Sequence, residues 1–159
     1  MLTKVKHMPE DGYILHRFSS YRHLEPLSTR YSDQDSKGHI NNVAYAAYVE
    51  AGRLAYLLNF MTPSQDGGVN YVLANLNINY LAEMHFPGMV LVGGKTLKLG
   101  KSSLTTGYGV FKDGICFAIA TCVNVHIDRE TRKSKPIPAA VQQALRAELA
   151  QEPYFQTDR

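Results

Sequence analysis

Residues 42–60, NVAYAAYVEAGRLAYLLNF, contain no proline and are rich in helix formers, and Asn41 just before them is a residue type whose side chain caps a helix start. The stretch predicts one long helix. Its polar positions are few, chiefly Glu50, Arg53 and Asn59, so apolar or small side chains cover almost the whole circumference instead of one stripe. A helix of that kind belongs inside something. Ala44, Ala46, Ala47, Ala51, Gly52 and Ala55 keep it slim, which lets other backbone approach closely.

The wrapping is expected downstream. Residues 70–80 alternate, with Val72, Ala74, Leu76, Ile78 and Tyr80 on one face and Asn75, Asn77 and Asn79 on the other, the pattern of a half-buried strand. Residues 89–99 and 102–112 predict two more strands, and Asp113-Gly114 predicts a tight hairpin into a strand over 115–128. The sheet should therefore be antiparallel. In the last strand Ile115, Phe117, Ile119, Val123 and Val125 share one face, while Cys116, Ala118, Ala120 and Cys122 form a face small enough to meet the slim helix. Residues 128–135 are charged and predict a loop, Pro136 and Pro138 stop the strand, and 139–150 predict a short surface helix. With about 20 residues of N-terminal extension and a loose tail over 151–159, the whole chain, 1–159, reads as a single α+β domain: an antiparallel sheet wrapped around a long central helix.

Composition narrows the function. The chain is 45% apolar, enough for one core, and its net charge of +3 comes from 17 basic and 14 acidic residues scattered along the sequence. No dense basic stripe of the kind phosphate backbones require is present, so nucleic acid is not expected as a partner. The first twenty residues hold no apolar run long enough for a signal peptide or a membrane span, which points to the cytoplasm and away from a membrane. Cys116 and Cys122 fall in one strand, about 20 Å apart, beyond disulfide reach.

Polar residues concentrate in 30–42, RYSDQDSKGHINN, directly before the apolar helix. Unpaired amides and the positive end of the helix dipole at that terminus suit a carbonyl oxygen that becomes negative during attack. Asp35 would supply the other partner, either attacking the carbonyl to form an anhydride or taking a proton from an attacking water. A thioester suits so small an apparatus, because a thiol of pKa about 8.5 leaves with little help from an acid.

The run Asp33-x-Asp35-x-x-Gly38-His39-x-Asn41-Asn42-x-x-Tyr45-x-x-Tyr48-x-Glu50-x-x-Arg53 resembles the signature of hot-dog-fold thioesterases, in the branch containing 4-hydroxybenzoyl-CoA thioesterase and related acyl-CoA thioesterases. The resemblance extends over 25–145 and includes Leu99-Gly100-Lys101-Ser102-Ser103, the Asp113-Gly114 hairpin and the closing segment 128–138. It implies a hot-dog fold, hydrolysis of an acyl-CoA, and a homodimer or homotetramer that binds coenzyme A where chains meet. Residue by residue it makes Asp35 the catalytic aspartate, the amide of Asn42 or Val43 the oxyanion donor, and His39 an assisting group. Glu50 matches the position at which another hot-dog branch carries its carboxylate and is the reserve candidate. Plant acyl-carrier-protein thioesterases resemble the same run but have asparagine where this chain has Lys37, which argues against an acyl-carrier substrate.

Each candidate has a plainer reading. Asp33 and Asp35 could cap turns, His39 could only brace its loop, and Glu50 with Arg53 could be a partnered pair on one helix face. Tyr45 could line an acyl pocket or belong to the core. For the phosphates of coenzyme A, Lys101 with Ser102 and Arg132 with Lys133 are candidates only as available charges and donors. A calcium loop beginning at Asp33 fails, since Lys37 and Ala44 occupy positions that need oxygen ligands. The histidines at 7, 16, 23, 39, 85 and 126 show no pair at zinc-ligand spacing, so no metal is expected, nor any cofactor beyond the coenzyme A of the substrate. The rival readings are an acyl-thioester dehydratase or hydratase on the same fold, and a non-catalytic acyl-CoA binding protein.

Overall fold

The computed structural model describes residues 12–61 and 70–151. Residues 1–11 of the expected extension and 152–159 of the expected tail lie outside them. The elements run α1 (Gly12–Leu15), β1 (His23–Ser28), α2 (Asn42–Leu58), β2 (Tyr71–Tyr80), β3 (Met89–Leu99), β4 (Ser103–Lys112), β5 (Ile115–His126) and α3 (Ala139–Leu149). The five strands form one antiparallel sheet in the order β1-β3-β4-β5-β2, which leaves β1 and β2 as its edges.

Asn41 is extended and its side-chain oxygen accepts from the Ala44 amide at 2.8 Å, so α2 starts where the sequence places it. The helix buries Ala44, Tyr45, Tyr48, Val49, Gly52, Arg53, Tyr56 and Leu57, one stripe at helical spacing. Its slimness is used at Gly52, where a Cβ would collide with Val92 of β3. The expectation of burial around nearly the whole circumference is corrected: Val43 is 78% exposed and Leu58 54%, because a five-stranded sheet curves around only one side of the helix. Ala118, Ala120 and Cys122 of β5 meet that side, together with Tyr108 and Val110 of β4 and Ile137, Val141 and Leu145 from the α3 region.

The opposite face of the sheet is covered too. Leu15, Tyr21, Phe111 and Ile119 form a second cluster, so the expected extension is packed against the sheet at Leu15 and, just beyond it, at Tyr21. Burying Leu15 contributes roughly 2 kcal/mol there. A bulge at Phe117, where Val110 pairs Ala118 but Phe111 pairs Cys116, also corrects the face assignment in β5. The extra residue turns Phe117 toward the helix-side cluster and Cys116 toward the outer one. The half-buried strand expected over 70–80 is corrected similarly. With an edge position and a bulge after Leu73, the stretch from Leu73 to Asn77 is exposed on both faces.

Candidate functional site

Two residues of one loop, both aspartates, are put to opposite uses. Asp33 is 3% exposed and is the anchor: its Oδ2 accepts from the Tyr48 hydroxyl at 2.6 Å and the Arg30 amide at 2.8 Å, and its Oδ1 accepts from Arg30 Nε at 3.2 Å. Burial alone would raise the Asp33 carboxyl, but these donors outweigh it and hold the pKa below the ordinary carboxylate value. Its carbonyl takes the Asn41 amide at 2.8 Å, so the anchor also fixes the approach to α2.

Asp35 lies at the surface of the same loop. Gly38, at φ 81, turns the chain back, and the Asp35 amide meets the His39 carbonyl at 2.7 Å. Within that turn Asp35 Oδ1 accepts from the amides of Lys37 at 2.8 Å and His39 at 3.0 Å. Those bonds, the His39 amide first, lower its pKa, so it is ionised at neutral pH. The turn-capping role is thus real, yet it consumes one oxygen only. Oδ2 has no hydrogen-bond donor among the described residues.

The loop is tied to the segment after β2. Ile40 donates to the Met84 carbonyl at 2.8 Å, and His39 faces His85 in an isolated antiparallel bridge. Between loop, helix start and strand end lies a cavity of about 350 Å³ lined by Asp35, His39, Asn42, Tyr45, Tyr80 and Glu83, among others. The Asn41 cap spends its oxygen on Ala44, so the amides of Asn42 and Val43 find no acceptor among the described residues and remain open. Tyr45 is buried, with its ring against Tyr80 at 5.3 Å and its hydroxyl 3.4 Å from the Ala82 carbonyl. Burial pushes its pKa up to about 12, which keeps it a neutral wall of the cavity. His39 Nε2 stands 3.4 Å from Glu83 Oε2.

The other candidates go elsewhere. Both oxygens of Glu50 are taken by Arg53, from Nε at 2.8 Å and Nη2 at 2.7 Å, which lowers the Glu50 pKa. Arg53 continues to Asn124 Oδ1 at 2.9 Å on β5, and Glu50 does not line the cavity. Lys101 and Ser102 lie at the far end of the sheet: the Ser102 carbonyl takes the His126 amide, whereas the Asp35 end meets β5 at Phe117 through Ala82. Nine residues of β5 separate those points, about 30 Å. Arg132 and Lys133, exposed in the loop after β5, belong to that same far end. Sequence reasoning missed Tyr80, Glu83 and His85. They follow or end an edge strand, and no local motif ties them to residues 35–45; tertiary contacts do, among them the bridge between His39 and His85 and the ring contact of Tyr45 with Tyr80.

The family model described as the thioesterase-like superfamily matches residues 29–145. A protein of Bacillus subtilis (strain 168), the uncharacterized protein YsmA, is 30% identical over 118 residues, covering 73% of this chain and 80% of its own length. Among solved structures, a predicted thioesterase from Bacillus stearothermophilus superposes with a TM-score of 0.72 at 26% identity, covering 79% of this chain and 94% of that one. A thioesterase from Thermus thermophilus, crystallised in complex with coenzyme A and Zn, gives 0.71 at 27% identity, covering 79% and 98%.

Proposed function

The chain belongs to the thioesterase-like superfamily and has its hot-dog fold, and from that premise we propose that it hydrolyses the thioester of an acyl coenzyme A to the free acid and the thiol. One observation carries the reading: Asp35, ionised and with no donor to its Oδ2 among the described residues, lines the same cavity as Asn42, at the helix start where the amides of Asn42 and Val43 find no acceptor among the described residues. The thioester carbonyl is received by those amides, where each donor to a developing oxyanion is worth about 10² to 10³ in rate. Asp35 takes a proton from the attacking water, the tetrahedral intermediate collapses, and the carbon–sulfur bond breaks to release the thiolate. His39, at the cavity mouth, orients the thioester. The acyl group lies along Tyr45 and Tyr80.

Coenzyme A as the carrier is supported by its presence in the Thermus thermophilus structure. A second copy of the chain is part of the same reading. β2 leaves an open edge with Leu73 and Leu76 exposed, and two such edges paired antiparallel bring the 128–135 loop of one chain to the Asp35 end of the other. Arg132 and Lys133 then meet the nucleotide phosphates across the junction. We place the protein in the cytoplasm, a reducing compartment that suits its two free thiols.

The test is a panel of short, long, aromatic and 2-enoyl acyl-CoA substrates followed by thiol release. Release from saturated and aromatic compounds supports hydrolysis. Reversible hydration of the enoyl compound without thiol release would make the protein a hydratase, and binding without turnover would make it an acyl-CoA carrier.

A further inference from the structure

Sequence spacing gives the histidines no partner, but the fold makes one. His39 and His85 face each other across an antiparallel bridge, which puts their Cβ atoms on one side of the chain pair, and their rings lie 5.0 Å apart at 72°. Glu83 joins them: one ligand-type atom from each of His39, Glu83 and His85 lies within 4.8 Å of the other two. We propose that these three side chains bind a divalent transition-metal ion of the zinc class at the mouth of the cavity.

Two features favour this over three polar groups that happen to be close. Ligands bound about 2.0 to 2.2 Å from a tetrahedral zinc are separated from one another by about 3.3 to 3.6 Å, and His39 Nε2 and Glu83 Oε2 stand 3.4 Å apart. His85 Nδ1 lies 3.2 Å from the Gly38 carbonyl, which can only accept, so Nδ1 is the donor and Nε2 is the nitrogen left to ligate when the ring is neutral. A backbone acceptor that fixes the tautomer and orientation of a ligating imidazole is a regular part of metal sites. Two imidazoles and one carboxylate select a borderline cation over calcium or magnesium, which need a shell of oxygens. Three protein ligands leave a fourth position, filled by water or by a group entering the cavity that His39 and Glu83 line.

Capture of the ion is independent of the thioesterase reading. Its effect on turnover rests on that reading: a bound ion holds the His39 nitrogen and blocks the path to Asp35, so zinc suppresses thiol release. The test is titration of the tag-free full chain with Co²⁺ alone, followed by visible absorption and by displacement with Zn²⁺. The expected result is saturable binding, one equivalent per chain, with four-coordinate cobalt bands that zinc abolishes. His85→Ala and, separately, Glu83→Gln should each weaken it about 100-fold, at least the effect of losing an outer-shell partner, with far-UV circular dichroism unchanged. His23→Ala, outside the cluster, should bind as the parent does. No saturable uptake by the parent, or equal uptake by His85→Ala and Glu83→Gln, would overturn the site. Neither result depends on whether any acyl-CoA is hydrolysed.

Discussion

The loop before α2 and the middle of α2 each carry a carboxylate, Asp35 and Glu50, and the two end in different chemical states. Asp35 is held through one oxygen by the neutral amides of Lys37 and His39, its other oxygen accepts no bond among the described residues, and the residue lines a cavity. Glu50 is held through both oxygens by a guanidinium, which in turn reaches Asn124 and through it Thr106. The same functional group is thus left half unbonded in one place and fully used as a brace in the other. What separates them is how many lone pairs the fold has already used, and whether a concave surface receives the remainder.

Asp35→Asn should separate the two carboxylates most strongly. The amide oxygen still accepts from Lys37 and His39, so the turn survives while the charge is lost. Turnover should fall about 10³-fold with only a small drop in melting temperature, because the lowered pKa makes the lost charge slightly stabilising; thiol release and calorimetry measure the two. Glu50→Ala should do the reverse, keeping most of the turnover while leaving Arg53 buried without its partner. Because the Glu50 side chain is 44% exposed, the expected loss of stability is about 2 kcal/mol, below the roughly 3 to 5 of a fully buried pair. Urea denaturation measures it.

Tyr48→Phe tests the third carboxylate, Asp33, by removing its 2.6 Å bond. The expected cost is about 1 to 2 kcal/mol at neutral pH. Asp33 has its pKa depressed in the folded state, so its contribution is complete above the ordinary value of about 3.9 and is lost as pH falls through the folded value. The difference between parent and Tyr48→Phe urea midpoints should therefore shrink on acidification below that range and stay constant above it. The smallest effect belongs to Asp35 itself. Its lowered pKa keeps the reactive form ionised, so kcat/KM should remain level from neutral pH down to about pH 4; a fall between about pH 7 and 5 would assign the essential base to another group.

Much of this was legible in the sequence for local reasons. An asparagine cap, an unbroken helix and a run of small residues fix α2, and Asp113-Gly114, both at positive φ, fixes one hairpin. The segment 30–42 stands out because polar residues crowd against an apolar helix. What could not be read depends on pairings far apart in the chain. The bulges at Phe117 and after Leu73 reverse faces that strict alternation assigns. The exposed side of α2 depends on how far the sheet curves. Tyr80, Glu83 and His85 become neighbours of residues 35–45 through the fold, by the bridge at His39 and the packing of Tyr45 on Tyr80. Composition also cannot say which basic groups share an end of the sheet with Asp35; within one chain Lys101, Arg132 and Lys133 do not.

The central claim is that the open amides where α2 begins receive the carbonyl that Asp35 prepares for attack. The infrared stretch of a ¹³C-labelled thioester carbonyl in benzoyl-CoA, bound to Asp35→Asn so that it persists, tests this most directly. The expected band lies at lower frequency than that of the same compound in water, because two fixed donors polarise the bond more than solvent does. A band at or above the aqueous frequency would mean that the carbonyl does not rest on Asn42 and Val43, and would contradict the claim.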